Sequence, residues 1–201
     1  MIGCVLLAGG KSSRMNNVDK TLIEINKKTL LSIIINKLNF DKNNIVLNTN
    51  RDPKIFEEYK LNITKDSLEN FQGPLAGILS GLEWFDSQDK NFEWMVSMPI
   101  DTPFFPNNLI EKLYKSVSKN NKLIGVAKSN GRNHPVFSIW HISIKKALID
   151  ALNNNIRKID LFTKTYQPIE VEFTSSIDQF FNINTPEDLE IAKKIFEESK
   201  I

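Results

Sequence analysis

Apolar positions along the chain come in short runs that alternate with longer stretches of helical spacing. Residues 2–7 form an apolar run too short for a helix and predict a buried strand. Residues 21–25 alternate and predict a short strand. Leu30, Leu31, Ile33, Ile34, Ile35 and Leu38 fall at helical spacing, which predicts an amphipathic helix over 29–39. Further strands are expected at 45–47, 61–64, 94–98, 123–127, 136–139 and 169–173. Further helices are expected at 53–60, 74–85, 106–119, 141–153, 156–164 and 185–198. Pro74 falls near the first helical position, and Thr185-Pro186-Glu187-Asp188 is a start signal for the last helix. Strands alternating with helices argue an α/β domain, a mostly parallel sheet with helices on both faces. The segments 123–127 and 136–139, joined by a loop at 131–135, lie too close for a helical crossover. One strand there is therefore expected to be antiparallel.

Candidate chemistry gathers where such a sheet puts it. In open α/β sheets, ligands sit outside the carboxyl ends of the strands, and Gly9, Gly10, Asn48, Asp66 and Asp101 all follow predicted strands. The first strand empties into Leu7-Ala8-Gly9-Gly10-Lys11-Ser12-Ser13-Arg14-Met15, with Asp19-Lys20 close behind. Paired glycines let the backbone approach a ligand, successive N–H groups can point at an anion, and Lys11, Arg14 and Lys20 add charge. The stretch is neither G-x-x-x-x-G-K-[ST] nor G-x-G-x-x-G. By itself a Gly-Gly-Lys reads equally as a strand-to-helix turn with solvated basic residues. Asp101, hemmed by Pro99 and Pro103, presents a stiff carboxylate; by itself a D-x-P reads as a cap or turn. Asn48 and Asp66 read as base or ribose contacts, or as strand-end caps. Gly73-Pro74-Leu75-Ala76-Gly77 is a helix start able to lie close to a ligand, or tight helix–sheet packing. His134, held extended by Pro135, reads as a ligand contact or a turn residue. Asn182 and Asn184 flank Ile183 on one face of an expected strand, where they line a cleft or cap the last helix.

Composition narrows the classes. The 201 residues suffice for a single domain spanning 1–201, 41% hydrophobic and 25% charged. A net charge of +2 gives no argument for nucleic acid, and no run approaches the roughly 18 apolar residues of a membrane helix. Neither nucleic acid nor membrane is an expected partner. Cys4 is the only cysteine and lies in the first strand, where it reads as a small buried hydrophobe. With no signal peptide visible, a cytoplasmic location is the expectation.

L-A-G-G-x-S-x-R-M followed by D-K resembles the signature of nucleotidyltransferases that couple a nucleoside triphosphate to a phosphorylated acceptor. M-P-x-D-T-P, G-P-L-A-G, H-P-V-F and F-x-N-I-N-T-P-E-D-L resemble later strings of the same family, in the same order from Leu7 to Leu189. Within it the chain is most similar to the molybdenum cofactor guanylyltransferases. The resemblance implies a Rossmann-like three-layer fold of the nucleotide-diphospho-sugar transferase kind. It implies transfer of GMP from Mg-GTP to the phosphate of molybdopterin or Mo-molybdopterin, releasing pyrophosphate. It also implies Mg²⁺ on Asp101, with Lys20 and Arg14 beside it in catalysis. Nucleotide or acceptor contacts carry over to Leu7, Ala8, Gly9, Gly10, Lys11, Lys20, Asn48, Asp66, Gly77, Asp101, His134 and Asn182. Molybdoenzyme chaperones and cofactor-insertion proteins are the implied protein partners. Asn16 departs from the glycine that usually follows R-M. The alternatives are a cytidylyltransferase of the same cofactor and a sugar-phosphate nucleotidyltransferase.

Overall fold

The computed structural model describes residues 1–9, 20–68 and 73–198. Its strands are β1 (Ile2–Leu7), β2 (Glu24–Ile25), β3 (Lys28–Thr29), β4 (Ile45–Asn48), β5 (Asn62–Thr64), β6 (Trp94–Pro99), β7 (Ile124–Ser129), β8 (Arg132–His141) and β9 (Ile169–Glu172). Its helices are α1 (Leu30–Leu38), α2 (Pro74–Asp86), α3 (Leu109–Asn120), α4 (Lys145–Asn153), α5 (Ile159–Lys164) and α6 (Pro186–Glu198). The chain separates into two compact units, each drawn from distant segments. The described residues of the first come from 1–9, 40–68, 73–99 and 108–174; those of the second come from 20–39, 100–107 and 175–198.

In the first unit, seven strands among the described residues form one sheet in the order β5-β4-β1-β6-β8-β7-β9. β1 pairs in parallel with β4 and β6, β4 with β5, and β7 with β9; β8 runs against both β6 and β7. The antiparallel strand expected among the later segments is β8. Both faces are covered. Ile124 and Val126 join the core with Leu75, Ile78, Leu148 and Phe162, whereas Gly125 between them backs onto Val117 of α3. Side chains alternate along a strand, so α2, α4 and α5 lie on one face and α3 on the other. This double coverage is why β1 and β6 read as mainly apolar runs rather than alternating ones. The one hydroxyl buried in β6 is accounted for: Ser97 Oγ donates to the Val136 carbonyl at 2.7 Å and accepts from Trp140 Nε1 at 2.9 Å.

The second unit packs α1 and α6 with the β2–β3 ribbon around Ile23, Ile25, Leu30, Ile33, Phe104, Ile183, Ala192 and Phe196. Thr29 caps α1 by accepting the Ser32 N–H at 3.2 Å, and Asn39 ends it at φ 49°. Residues 20–22 turn as a 3₁₀ helix, so the strand expected at 21–25 is confined to Glu24–Ile25. The helix expected from 106 starts at Leu109. Residues 182–184 are not a strand. The loop expected at 131–135 is also corrected: Asn130 and Gly131, at φ 49° and 75°, make a two-residue turn, and β8 begins at Arg132.

Candidate functional site

In the first unit the carboxyl ends of β1, β4, β5 and β6 are level. Leu7 stands beside Asn48 and Pro99, and Asn48 beside Thr64. The Ala8 N–H donates to the Asn48 carbonyl at 2.9 Å, and the Thr49 N–H to the Thr64 carbonyl at 2.9 Å. Asn48 is a buried polar side chain at the end of an apolar strand, and Asp66 satisfies it: Asn48 Nδ2 donates to Asp66 Oδ1 at 3.1 Å. Asn50 Nδ2 donates to Asp66 Oδ2 at 2.9 Å, and the Asp66 N–H donates to Asn50 Oδ1 at 3.1 Å. The next N–H, of Ser67, donates to Ser80 Oγ on α2 at 3.1 Å. The carboxylate is thus held on both oxygens by amides and from two sides through the backbone.

Gly77 belongs to this cluster as a packing residue. It is buried in α2, and an added Cβ would run into Asn48 Oδ1 and stand 2.7 Å from Leu7 Cδ2. Of the two sequence readings of Gly73–Gly77, tight helix–sheet packing describes Gly77. Gly73, at φ 144°, takes a backbone conformation that glycine alone adopts easily, and so lets α2 start at Pro74. Among the described residues, no heavy atom lies within 4 Å of a Cβ added at Gly9.

The second unit holds the charged cluster. Lys20 Nζ donates to Asp101 Oδ2 at 2.9 Å and to Asn184 Oδ1. The fully buried Thr102 sends its Oγ1 to Asn182 Oδ1 at 2.6 Å and lies 3.3 Å from Asp101 Oδ1. A hydroxyl has one proton, so the shorter contact takes it. The Ile183 N–H donates to the Asp101 carbonyl at 2.9 Å. Asn182, Ile183 and Asn184 therefore touch Thr102, Asp101 and Lys20 in turn. The segment is anchored by the start of α6, where Asp188 Oδ2 accepts the N–H groups of Asn184 and Thr185, both at 2.9 Å. The Asp188 N–H returns to Thr185 Oγ1 at 3.1 Å. Beneath the Asp101 loop, Lys37 Nζ donates to the Pro103 carbonyl at 3.4 Å and sits 4.9 Å from the centre of the Phe105 ring. Burial lowers its pKa to about 8.

Asp101 offers a hard oxygen ligand with its side chain 18% exposed. No group of three or more His, Cys, Asp or Glu poised for a metal occurs among the described residues. That donor set does not suit an ion needing an all-protein cage. It fits Mg²⁺, which binds through one or two carboxylates and completes its octahedron with substrate phosphates and water.

His134 lies in β8 of the first unit, its Nε2 2.8 Å from Ser129 Oγ across the hairpin. Gly10, Lys11 and Arg14 lie outside the described residues. Sequence reasoning overlooked Asn50 and Thr102 as partners in these clusters. Their signals were present in Asn48-Thr49-Asn50 and in the threonine that follows Asp101.

An open, mostly parallel sheet with its polar side chains collected at the carboxyl strand ends has the architecture of nucleotide-binding α/β enzymes. The chain matches the MobA-like NTP transferase domain over residues 4–166 and belongs to that family of nucleotidyltransferases. It is 40% identical to a molybdenum cofactor guanylyltransferase of Rhodopseudomonas palustris (strain BisB5), covering 95% of this chain and 92% of that one. It is 36% identical to the molybdenum cofactor guanylyltransferase of Yersinia pestis (strain Pestoides F), covering 93% and 92%. The crystal structure of molybdopterin-guanine dinucleotide biosynthesis protein A from Archaeoglobus fulgidus superposes with a TM-score of 0.79 at 26% identity, covering 98% of this chain and all of that one. The 4-diphosphocytidyl-2C-methyl-D-erythritolsynthase of Anaerococcus prevotii, at a TM-score of 0.71 and 14% identity, shares the fold. No helix among the described residues is long and apolar enough to cross a membrane.

Proposed function

We propose that the protein transfers GMP from Mg-GTP to the terminal phosphate of molybdopterin or its molybdenum-loaded form, releasing pyrophosphate. The observation that carries this reading is the Lys20–Asp101 pair at 2.9 Å, bracketed by Asn182 and Asn184, in a chain similar to molybdenum cofactor guanylyltransferases. An oxygen of the acceptor phosphate forms a bond to the α-phosphorus, and the bond from the α-phosphorus to the bridging oxygen of the β-phosphate breaks. The electron pair leaves with pyrophosphate. The acceptor needs no general base: a phosphate monoester, with a second pKa of about 6, is already an anionic nucleophile at neutral pH. The demand on the protein is to hold two anions together in line and offset their repulsion.

Lys20 supplies positive charge to the triphosphate. Asp101 supplies the carboxylate for Mg²⁺, and the ion when bound neutralises phosphate charge in the transition state. Leu7, Ala8, Gly9, Gly10 and Lys11 contact the nucleotide, and Arg14 acts with Lys20 in catalysis. Asn48 and Asp66 read the base. Guanine presents N1–H and N2–H₂ as adjacent donors, and a carboxylate accepts from both. Cytosine presents an acceptor at the corresponding edge and offers that carboxylate fewer donors than guanine does. A hydrogen bond to a charged group contributes about 1.5–3 kcal/mol, which gives GTP an advantage over CTP of roughly tenfold to a hundredfold. His134 and Asn182 serve the acceptor side. The product would pass to molybdoenzyme chaperones and cofactor-insertion proteins, in the cytoplasm.

The test is incubation with Mg²⁺, molybdopterin and each nucleoside triphosphate separately, with the dinucleotide read by mass. Formation of the guanine dinucleotide with pyrophosphate is the expected result. Preference for CTP would overturn the guanylyl reading in favour of the cytidylyl alternative, and binding without pyrophosphate release would overturn catalysis itself.

A further inference from the structure

We propose that Asn50 is the positioning residue of Asp66 and through it a determinant of nucleotide selectivity, an inference that rests on the base-reading role given to Asp66 above. A carboxylate offers about two acceptor directions on each oxygen. In Asp66 one direction on Oδ1 is taken by Asn48 Nδ2 at 3.1 Å and one on Oδ2 by Asn50 Nδ2 at 2.9 Å. Among the described residues this leaves one direction on each oxygen, two acceptors in all, and two is the count that the adjacent donors of guanine require. The orientation of the pair depends on the carboxylate not rotating about its Cβ–Cγ bond. Asn48 alone ties one oxygen; Asn50 ties the other and also accepts the Asp66 main-chain N–H at 3.1 Å. Asn50 thus holds both the head and the backbone of Asp66 with one amide group.

The residue type follows from this double contact. A primary amide does both at this reach: its Nδ2 donates to the carboxylate while its Oδ1 accepts the main-chain N–H. Aspartate at 50 would set carboxylate against carboxylate, and alanine would leave Asp66 Oδ2 and its N–H to water. Asn50 is exposed and belongs to neither hydrophobic core, so packing does not account for it. The strand ends it spans are already joined by the Thr49 N–H to Thr64 carbonyl bond at 2.9 Å. A second link there is not needed to close the β4–β5 pair.

The experiment is a double-mutant cycle with Asn50→Ala, Asp66→Ala and both together. It reads kcat and KM for GTP and CTP, equilibrium binding of each nucleotide, and thermal unfolding. A pair of exposed, charge-assisted contacts sets the expected scale at about fivefold. Asn50→Ala raises KM for GTP by that factor with kcat held, lowers the GTP to CTP ratio by the same factor and leaves Tm in place. In the Asp66→Ala background it changes nothing further. Equal loss for GTP and CTP, or the same loss in both backgrounds, would overturn the positioning role. A wild-type protein that prefers CTP refutes the guanylyl reading instead. The same cycle read with CTP binding then decides on Asn50: non-additive losses support its hold on Asp66, and additive ones overturn it.

Discussion

Replacing Lys20 by alanine removes the cation from a pair whose two side chains retain 22% and 18% of their exposure. Two consequences must be separated. The first is on the fold. Exposed ion pairs contribute about 0.2–1 kcal/mol, and breaking a fully buried one costs about 3–5 kcal/mol. A pair with about a fifth of its surface in water falls between, at about 1–2 kcal/mol, because water reaches the stranded Asp101 carboxylate. The second is on the ligand. If Lys20 meets the β- and γ-phosphates, the lost charge-assisted contact is worth about 1.5–3 kcal/mol, or roughly 10- to 150-fold in affinity. GMP lacks both phosphates and does not feel that loss. We predict that Lys20→Ala weakens GTP at least about tenfold and GMP by less than about twofold, at a temperature where unfolding curves show both proteins folded. Equilibrium titration of the two nucleotides gives the ratio. Equal weakening of GTP and GMP would refute the reasoning, because Lys20 would then act only by holding Asp101 and Asn184.

Asp101→Asn keeps the shape of the loop and removes its charge; Mg²⁺-dependent turnover is expected to fall at least about 100-fold with the fold intact, and near wild-type turnover would remove Asp101 from the metal role. Gly77→Ala forces a methyl group against Asn48 and Leu7. It is expected to lower stability by about 1–3 kcal/mol and to weaken nucleotide binding, and an unchanged Tm in a calorimetric scan contradicts the packing account. Lys37 has a folded pKa of about 8 against 10.5 in the unfolded chain, so the unfolded state binds more protons between those values and stability rises with pH there. The penalty for burying its charge is complete below pH about 8. The stabilising effect of Lys37→Met is therefore expected to be largest there and to fade as pH approaches 10.5, whereas a constant difference in denaturant unfolding across that window would contradict it.

The parts of the fold that could be read along the chain are those whose cause is local. β1 and β6 are buried on both faces and leave short apolar runs, broken in β6 only by Ser97; α1 shows its buried positions at helical spacing. β8 was foreshortened for a physical reason. Residues 138–140 pair with both β6 and β7, but Arg132, Asn133 and His134 pair with β7 alone and tolerate polar side chains. The Asn130-Gly131 turn was the better signal, since both residues stand at positive φ. Asn48 ends β4 and Asp66 follows β5 by two residues, so both stood out as candidates, because strand ends are where such sheets place ligands.

The charged cluster was not legible from pattern, because its members lie 81 and 164 residues apart along the chain. Periodicity reports which way side chains point within one segment and carries no information on what that segment meets. Asn182, Ile183 and Asn184 make the point. Their alternation suggested a strand with both amides on one face. The structure keeps the polar-apolar-polar alternation, with Ile183 fully buried and the flanking amides reaching Thr102 and Lys20, but supplies no ladder. The Ile183 N–H, which a strand would give to a neighbouring strand, goes to the carbonyl of Asp101. A period of two therefore matched the alternation of these residues, whereas the strand it suggested is absent and their partners were beyond its reach. The partner is fixed instead by the start of α6, where Asp188 gathers the N–H groups of Asn184 and Thr185 and so sets where the Asn184 amide stands. The Thr185–Asp188 start signal, legible in the sequence as a helix cap, is in the folded chain also the anchor of the residue that holds Lys20.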